Sequence, residues 1–310
     1  MKKKNINTII FLCALAACLT PYIDPPLALF LGFLFSQICE HPFLGYNRKA
    51  VKYLLQLSVI GLGFGMNIYE SLKSGQQGFV FTISSIAVTL LLGIAAGKYL
   101  KVKKNTTLLI SAGTAICGGS AIAAISPLVN ADEDEISVSL GTIFILNAIA
   151  LFVFPAIGHF FLLSQNQFGL WAAVAIHDTS SVVGAAHKYG ETALQIATAV
   201  KLERALWIIP LSFFIALKYK SKSSKINIPY FIFLFVIAMF INTMFPQLHT
   251  IGAYIVYAAK KGLTLTLFLI GTGLSRAALR SVGIKPLILG VFLWAVISIS
   301  SLFIIIQTVN

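Results

Sequence analysis

The sequence predicts an all-α polytopic membrane protein with about eleven transmembrane segments: one extra N-terminal helix plus two inverted five-helix repeats that contain interrupted helices. Three observations lead there. Hydrophobic residues make up 58% of the 310 residues, and Asp, Glu, Lys and Arg together only 11%, where a soluble domain carries about 25% charged residues. The apolar residues fall into runs of about 20, the length that crosses a ~30 Å hydrocarbon core. Lys and Arg are confined almost entirely to alternate connections.

The segments fall at 7–22, 25–39, 52–69, 77–98, 106–129, 137–163, 167–187, 194–217, 228–246, 250–275 and 286–308. The first, with Lys2, Lys3 and Lys4 ahead of an apolar run to Ala17, also has the outline of a signal peptide. Leu15-Ala16-Ala17-Cys18 even has the outline of a lipoprotein cleavage site. A transmembrane helix is the expected identity, in an N-terminal unit of residues 1–24. The first repeat then covers 25–163 and the second 167–310, all in one membrane domain.

The charges set the orientation. With the N-terminus cytoplasmic, the inner connections hold Lys2, Lys3, Lys4, Arg48, Lys49, Lys52, Lys98, Lys101, Lys103, Lys104, Lys218, Lys220, Lys222, Lys225, Arg276, Arg280 and Lys285. The outer ones hold Lys73 and Lys188. Asp132-Glu133-Asp134-Glu135 and the C-terminus are expected outside a bacterial inner membrane. The net charge of +13 is then a topology signal, and nucleic-acid binding is not expected.

Eleven segments divide as one plus five plus five. Lys52, Leu57, Ile60, Leu62 and Phe64 recur in the same spacing as Lys201, Leu206, Ile209, Leu211 and Phe213, an offset of 149. The same offset lays segment 2 on 7, 4 on 9, 5 on 10 and 6 on 11. An odd number of spans per repeat inverts the second one, the architecture of secondary transporters with a site near the midplane.

Segment 5 contains Thr114, Cys117, Gly118, Gly119 and Ser120. Two adjacent glycines cost about 1 kcal/mol each inside a helix and predict an unwound turn at mid-membrane. Its backbone needs partners from protein, water or ligand. The helix restarting near Ser120 would point free N–H groups at an anion, unless the small residues serve close packing. Segment 7 carries His177, Asp178, Thr179 and Ser180 at its centre, where polar groups face a cavity or pathway. Asp178 or Thr179 can cap a second half-helix, and His177 or Asp178 can take up a proton or coupling cation.

Segment 8 places Lys201 and Arg204 on one helix face, with Glu203 on another. Each charge costs roughly 2.5–3.5 kcal/mol at mid-bilayer, so none is expected to face lipid. Lys201 and Arg204 read as anion partners or as part of a buried ion-pair network, and Glu203 as a further coupling-ion candidate. Segment 10 contains Lys260, Lys261 and Gly262, where a break of the second repeat is expected. Snorkelling of the lysines is the alternative. An offset of 155 instead lays Ser120 on Ser275, and the two registers stay open. Intramembrane charge is positive on balance, which favours an anion.

Cys13, Cys18, Cys39 and Cys117 have no C-x-x-C spacing, and there is no H-E-x-x-H motif or Walker loop. No metal, cofactor or catalytic residue is expected, and the chain is expected not to be an enzyme. Ser120 with His177 could imitate a Ser–His dyad, an intramembrane hydrolase that would leave the repeat unexplained.

The run Gly113-Thr114-Ala115-Ile116-Cys117-Gly118-Gly119-Ser120-Ala121-Ile122-Ala123-Ala124 closely resembles the YeiH-type sulfate exporters. So do Phe168-Gly169-Leu170-Trp171 leading to Ile176-His177-Asp178, and Val200-Lys201-Leu202 with Arg204. These bacterial membrane proteins are grouped with the bile acid, arsenite and riboflavin transporters. The resemblance implies a core domain moving against a scaffold, with two crossing broken helices. Many relatives have Glu at the position of Asp178 and fewer hydroxyls than Thr179-Ser180-Ser181, which bears on the substrate. The expected function is outward secondary transport of a small anion, sulfate or a related oxyanion, coupled to H+ or Na+. A passive anion channel is the alternative. The expected partners are the anionic solute and the lipid bilayer, with a homodimer left open.

Overall fold

A computed structural model describes residues 2–219, 230–274 and 282–309, and every regular element among them is helical. The helices are α1 (Lys2–Ala17), α2 (Pro25–Ile38), α3 (Leu44–Leu62), α4 (Ile68–Tyr99), α5 (Lys104–Ala115), α6 (Gly119–Ile125) and α7 (Glu133–Phe160). There follow α8 (Gln165–Ala175), α9 (Thr179–Tyr189), α10 (Glu191–Leu206), α11 (Ile208–Tyr219), α12 (Tyr230–Met244), α13 (His249–Gly273) and α14 (Ile284–Thr308). Four stretches are long and apolar enough to cross a membrane: Thr82–Tyr99, Glu133–Phe160, Pro246–Gly273 and Ile284–Thr308. The chain is a helical membrane protein.

Segments 5 and 7 are interrupted where the sequence predicts, but neither crosses the molecule. Laid end to end, α5, α6 and the 3-10 turn Ser126–Val129 would separate their ends by roughly 35–40 Å. Instead the two ends meet. Asn105 Nδ2 donates to Glu135 Oε2 at 3.0 Å, and Lys103 pairs with Asp132 at 3.8 Å. Gly113 of α5 lies against Ile122 of α6, and Leu109, Ala112, Ile122, Ile125 and Leu128 share one buried cluster. This is a helical hairpin that enters and returns on one face. Asp132 is not on the face opposite Lys103, so the acidic run sits beside the basic connection before α5.

The α8–α9 segment does the same. The Tyr189 hydroxyl donates to the Leu163 carbonyl at 2.6 Å, Tyr189 stacks on Phe168 at 3.8 Å, and Gln165 Oε1 accepts from Thr192 N at 3.0 Å. Start and finish again coincide. Lys and Arg counts could not detect either hairpin. Each hairpin removes one crossing, so two together restore the parity, and residues 130–164 between them contain no Lys or Arg.

Helix α7 separates the two hairpin bases. Its start carries a capping box, in which Asp132 Oδ1 accepts from Glu135 N and Glu135 Oε2 from Asp132 N. The acidic first turn also suits the positive helix end. Its far end stacks His159 on Tyr189 at 4.5 Å. Twenty-eight residues place those ends roughly 42 Å apart, so the hairpins enter from opposite ends of α7. α10 runs from the second base back towards the tips. Trp207 ends it, because Pro210 in the first turn of α11 has no N–H for the Leu206 carbonyl.

A second group of helices packs alongside. α2 and α13 meet backbone to backbone: a Cβ at Gly32 would lie 2.1 Å from the Phe268 carbonyl oxygen, and one at Gly271 would lie 2.3 Å from that of Leu29. α13 is continuous from His249 to Gly273, which corrects the break expected at Lys260, Lys261 and Gly262. Those residues have other work. Lys260 pairs with Glu191 at 2.5 Å, Lys261 donates to the Thr20 carbonyl, and Gly262 makes room for Ser58. With Lys188 paired to Asp24 at 3.2 Å, these contacts tie the α9–α10 corner to α2 and α13. The 149 register thus has no matching break within α13. Ser275 of the other register lies outside the described residues, as do Lys220, Lys222, Lys225, Arg276 and Arg280.

Candidate functional site

The two hairpin tips meet at mid-height of α7. In the first, Gly118 adopts φ 63°, ψ −123°, and its N–H closes the turn onto the Gly113 carbonyl at 2.8 Å. This left-handed conformation suits glycine. A Cβ there would lie 3.5 Å from Asp178 Cα and 3.2 Å from Ile143 Cγ2, so the first tip abuts both the second tip and α7. In the second, Asp178 caps α9: its Oδ2 accepts from Ser180 N at 3.0 Å and from the Ser180 hydroxyl. The cap expected from the sequence is present, and Thr179 and Ser180 are buried in the turn that follows.

Both first-half helices end with carbonyls aimed at the junction, the negative end of a helix. α10 supplies a cation to each. Lys201 Nζ donates to the Ala173 carbonyl at 3.2 Å and to that of Ile176 at 2.7 Å, at the end of α8. Arg204 Nη2 donates to the carbonyl of Ala115, the last residue of α5. Both side chains are fully buried, and neither pairs with a carboxylate among the described residues. The ion-pair network weighed from the sequence is therefore not what holds them; backbone carbonyls are. Each cation thus meets the carbonyl end of a helix, and the Asp178 carboxylate stands at the second tip.

The junction also gathers buried polar atoms that lack a hydrogen-bond partner among the described residues: Thr114 Oγ1, Asn147 Nδ2, His177 Nδ1 and Nε2, and Arg204 Nε and Nη1. Thr114 adjoins Ala115, His177 sits in the second tip, and Arg204 bridges to the first. Burying so many unpaired groups is costly, and most of them are donors. Ordered water or a small polar ligand would each supply the partners they lack.

Cys117 is buried at the first tip within electrostatic range of Asp178, Lys201 and Arg204. Ser120 belongs elsewhere. It is exposed on the outer side of α6, Gly119 is half-exposed, and no hydrogen bond joins Ser120 to the buried His177. Glu203 lies on the other face of α10. It accepts weakly from Thr82 (3.5 Å) and Trp207 (3.4 Å) and lines an apolar cavity of about 410 Å³ with Leu72, Leu206, Phe235 and Met239. Lys260 and Lys261 sit near Glu191, at the base of the second hairpin, roughly 15 Å along α10 from Lys201.

Sequence reading missed Asn147. Its Oδ1 accepts from both His177 N and Asp178 N, each at 3.2 Å. The signal was available, since it is the lone amide in the otherwise apolar middle of segment 6 and such a residue rarely faces lipid.

Residues 5–290 match the family described as Conserved hypothetical protein 698. A UPF0324 membrane protein of Bacteroides thetaiotaomicron is 57% identical over 286 residues, spanning 91% of this chain and 86% of the relative. One from Porphyromonas gingivalis is 52% identical over 290 residues, spanning 91% and 87%. One from Photobacterium profundum is 48% identical over 296 residues, spanning 96% and 90%. No solved structure matches.

Proposed function

The chain belongs to the Conserved hypothetical protein 698 family of membrane proteins, and we propose that it is a secondary transporter of a small anion rather than an enzyme. Sulfate or a related oxyanion, moved outward across the bacterial inner membrane, is the substrate class. This keeps the chain with the YeiH-type exporters and their transporter superfamily that its motifs resemble. The N-terminus is cytoplasmic and the C-terminus external. The observation that carries the reading is Arg204. It is fully buried where the two tips meet, with one nitrogen on a helix end and two others unpartnered. A guanidinium presents five donors in a planar fork suited to an oxyanion.

Opposed hairpins suit alternating access. Each enters from one end of α7 and closes the path from that end. Rocking the hairpin bundle against the α2–α3–α12–α13 group would expose the junction to one face at a time, as in transporters built from inverted units. The inverted relation here joins the two hairpins with the helix following each. Thr114, Cys117, Gly118, His177, Asp178, Thr179 and Ser180 wall the site, Arg204 is the main ligand, and Lys201 braces the α8 end. His177 or Asp178 takes the coupling H+ or Na+. Glu203 faces the separate cavity and is the weaker coupling candidate.

The test is flux of labelled sulfate into vesicles containing the purified full-length protein. Saturable uptake above that of empty vesicles is expected, together with a fall of at least roughly tenfold in Arg204→Gln, the scale of a lost charged hydrogen bond. If none of the candidate oxyanions gives flux above empty vesicles, and none shifts the protein's melting, the anion reading fails. Flux that never saturates and ignores proton and sodium gradients would instead identify a passive channel.

A further inference from the structure

We infer that Asn147 is a binding residue of this site, its carbonyl oxygen setting the second hairpin tip while its amide nitrogen donates to the bound anion; the inference rests on the anion reading above. Two adjacent backbone N–H groups, of His177 and Asp178, point at Oδ1. Only an oxygen can accept them, so the orientation of the amide is fixed by its partners. Nδ2 must then face the other way. It is buried there without a hydrogen-bond partner among the described residues, and so are both ring nitrogens of His177, whose own backbone N–H the same side chain holds.

Position supports the assignment. Asn147 is at the midpoint of α7, Glu133–Phe160, and one helical turn before it Ile143 touches the first tip at Gly118. The donor therefore stands on a long, rigid helix at the level where both tips converge. Arg204 reaches the first tip from α10, at the carbonyl of Ala115, and on this reading donates to the same anion. One group from each of the two long helices then flanks the anion. A purely structural asparagine would need only its oxygen. The amide nitrogen is surplus to the turn, and leaving a buried donor unpaired is unfavourable.

Asn147→Asp separates the two roles. The carboxylate still accepts both N–H groups, so the tip keeps its geometry, but the donor becomes a negative charge. Asn147→Ser is made in parallel as a neutral variant without the amide donor. Sulfate binding to each purified full-length protein is measured calorimetrically at constant ionic strength, with anion-free melting recorded alongside. The expected result is at least a roughly tenfold weaker sulfate affinity in every variant that folds, with Asn147→Asp melting close to the parent protein. Parent-like sulfate affinity in either folded variant overturns the inference and leaves the transporter reading standing. A parent protein that binds neither sulfate nor any other candidate oxyanion overturns both.

Discussion

At the scale of the residue, the two buried cations do different work. Lys201 spends its ammonium on two carbonyls at the end of α8, so its first task is to hold that end in place. Lys201→Met removes the charge and leaves those carbonyls unsatisfied, at a cost of about 1–3 kcal/mol. A lower melting temperature is the expected result, with or without sulfate present. Arg204 keeps unpartnered donors, so Arg204→Lys should weaken sulfate binding more than it lowers stability, because the planar fork is lost while the charge remains. Gly118 is the third sensitive position. Its φ of 63° with ψ of −123° is strained for any L side chain, and a Cβ meets Ile143. Gly118→Ala should cost about 1–3 kcal/mol, measurable by thermal unfolding. These residues were legible because charges, glycine pairs and hydroxyl clusters are conspicuous in an apolar sequence. Asn147 is as conspicuous, a lone amide in an apolar span, but its role rests on the two N–H groups of the second tip, which only the fold brings to it.

At the scale of the element, the breaks were legible and the direction of the chain after each break was not. Gly118-Gly119 and His177-Asp178 announce an unwound turn, but hydropathy is the same whether the second half-helix continues or doubles back. What decides is long-range: Lys103 with Asp132 and Asn105 with Glu135 at one base, Tyr189 with Leu163 at the other. The break placed at Lys260–Gly262 failed for the opposite reason. Two lysines inside an apolar run looked like an interruption, yet they are satisfied by Glu191 and the Thr20 carbonyl while the helix stays whole. The hairpin topology predicts sidedness. A single cysteine at Asn130 in a cysteine-free background should label with an impermeant thiol reagent from the same face as one at Lys101. Labelling from opposite faces would mean that segment 5 crosses the membrane.

At the scale of the whole molecule, two hairpins approach from opposite ends of α7, and the helix following each runs back past both tips. One contributes Asn147 and the other Lys201 and Arg204, so the junction is made by elements that belong to opposite faces. The sequence pointed to an inverted architecture with a positive interior. It left two registers open, and of these the 149 offset has no matching break in the continuous α13. Cys117, buried at the first tip, reports on this arrangement directly. With Cys13, Cys18 and Cys39 replaced by alanine, its alkylation by an impermeant reagent can be followed from each face of sealed vesicles, with and without sulfate. Slow labelling from both faces, suppressed by sulfate at either, is the predicted result. Labelling from one face alone, at a rate indifferent to sulfate, would contradict an anion site reached alternately from the two sides of the membrane.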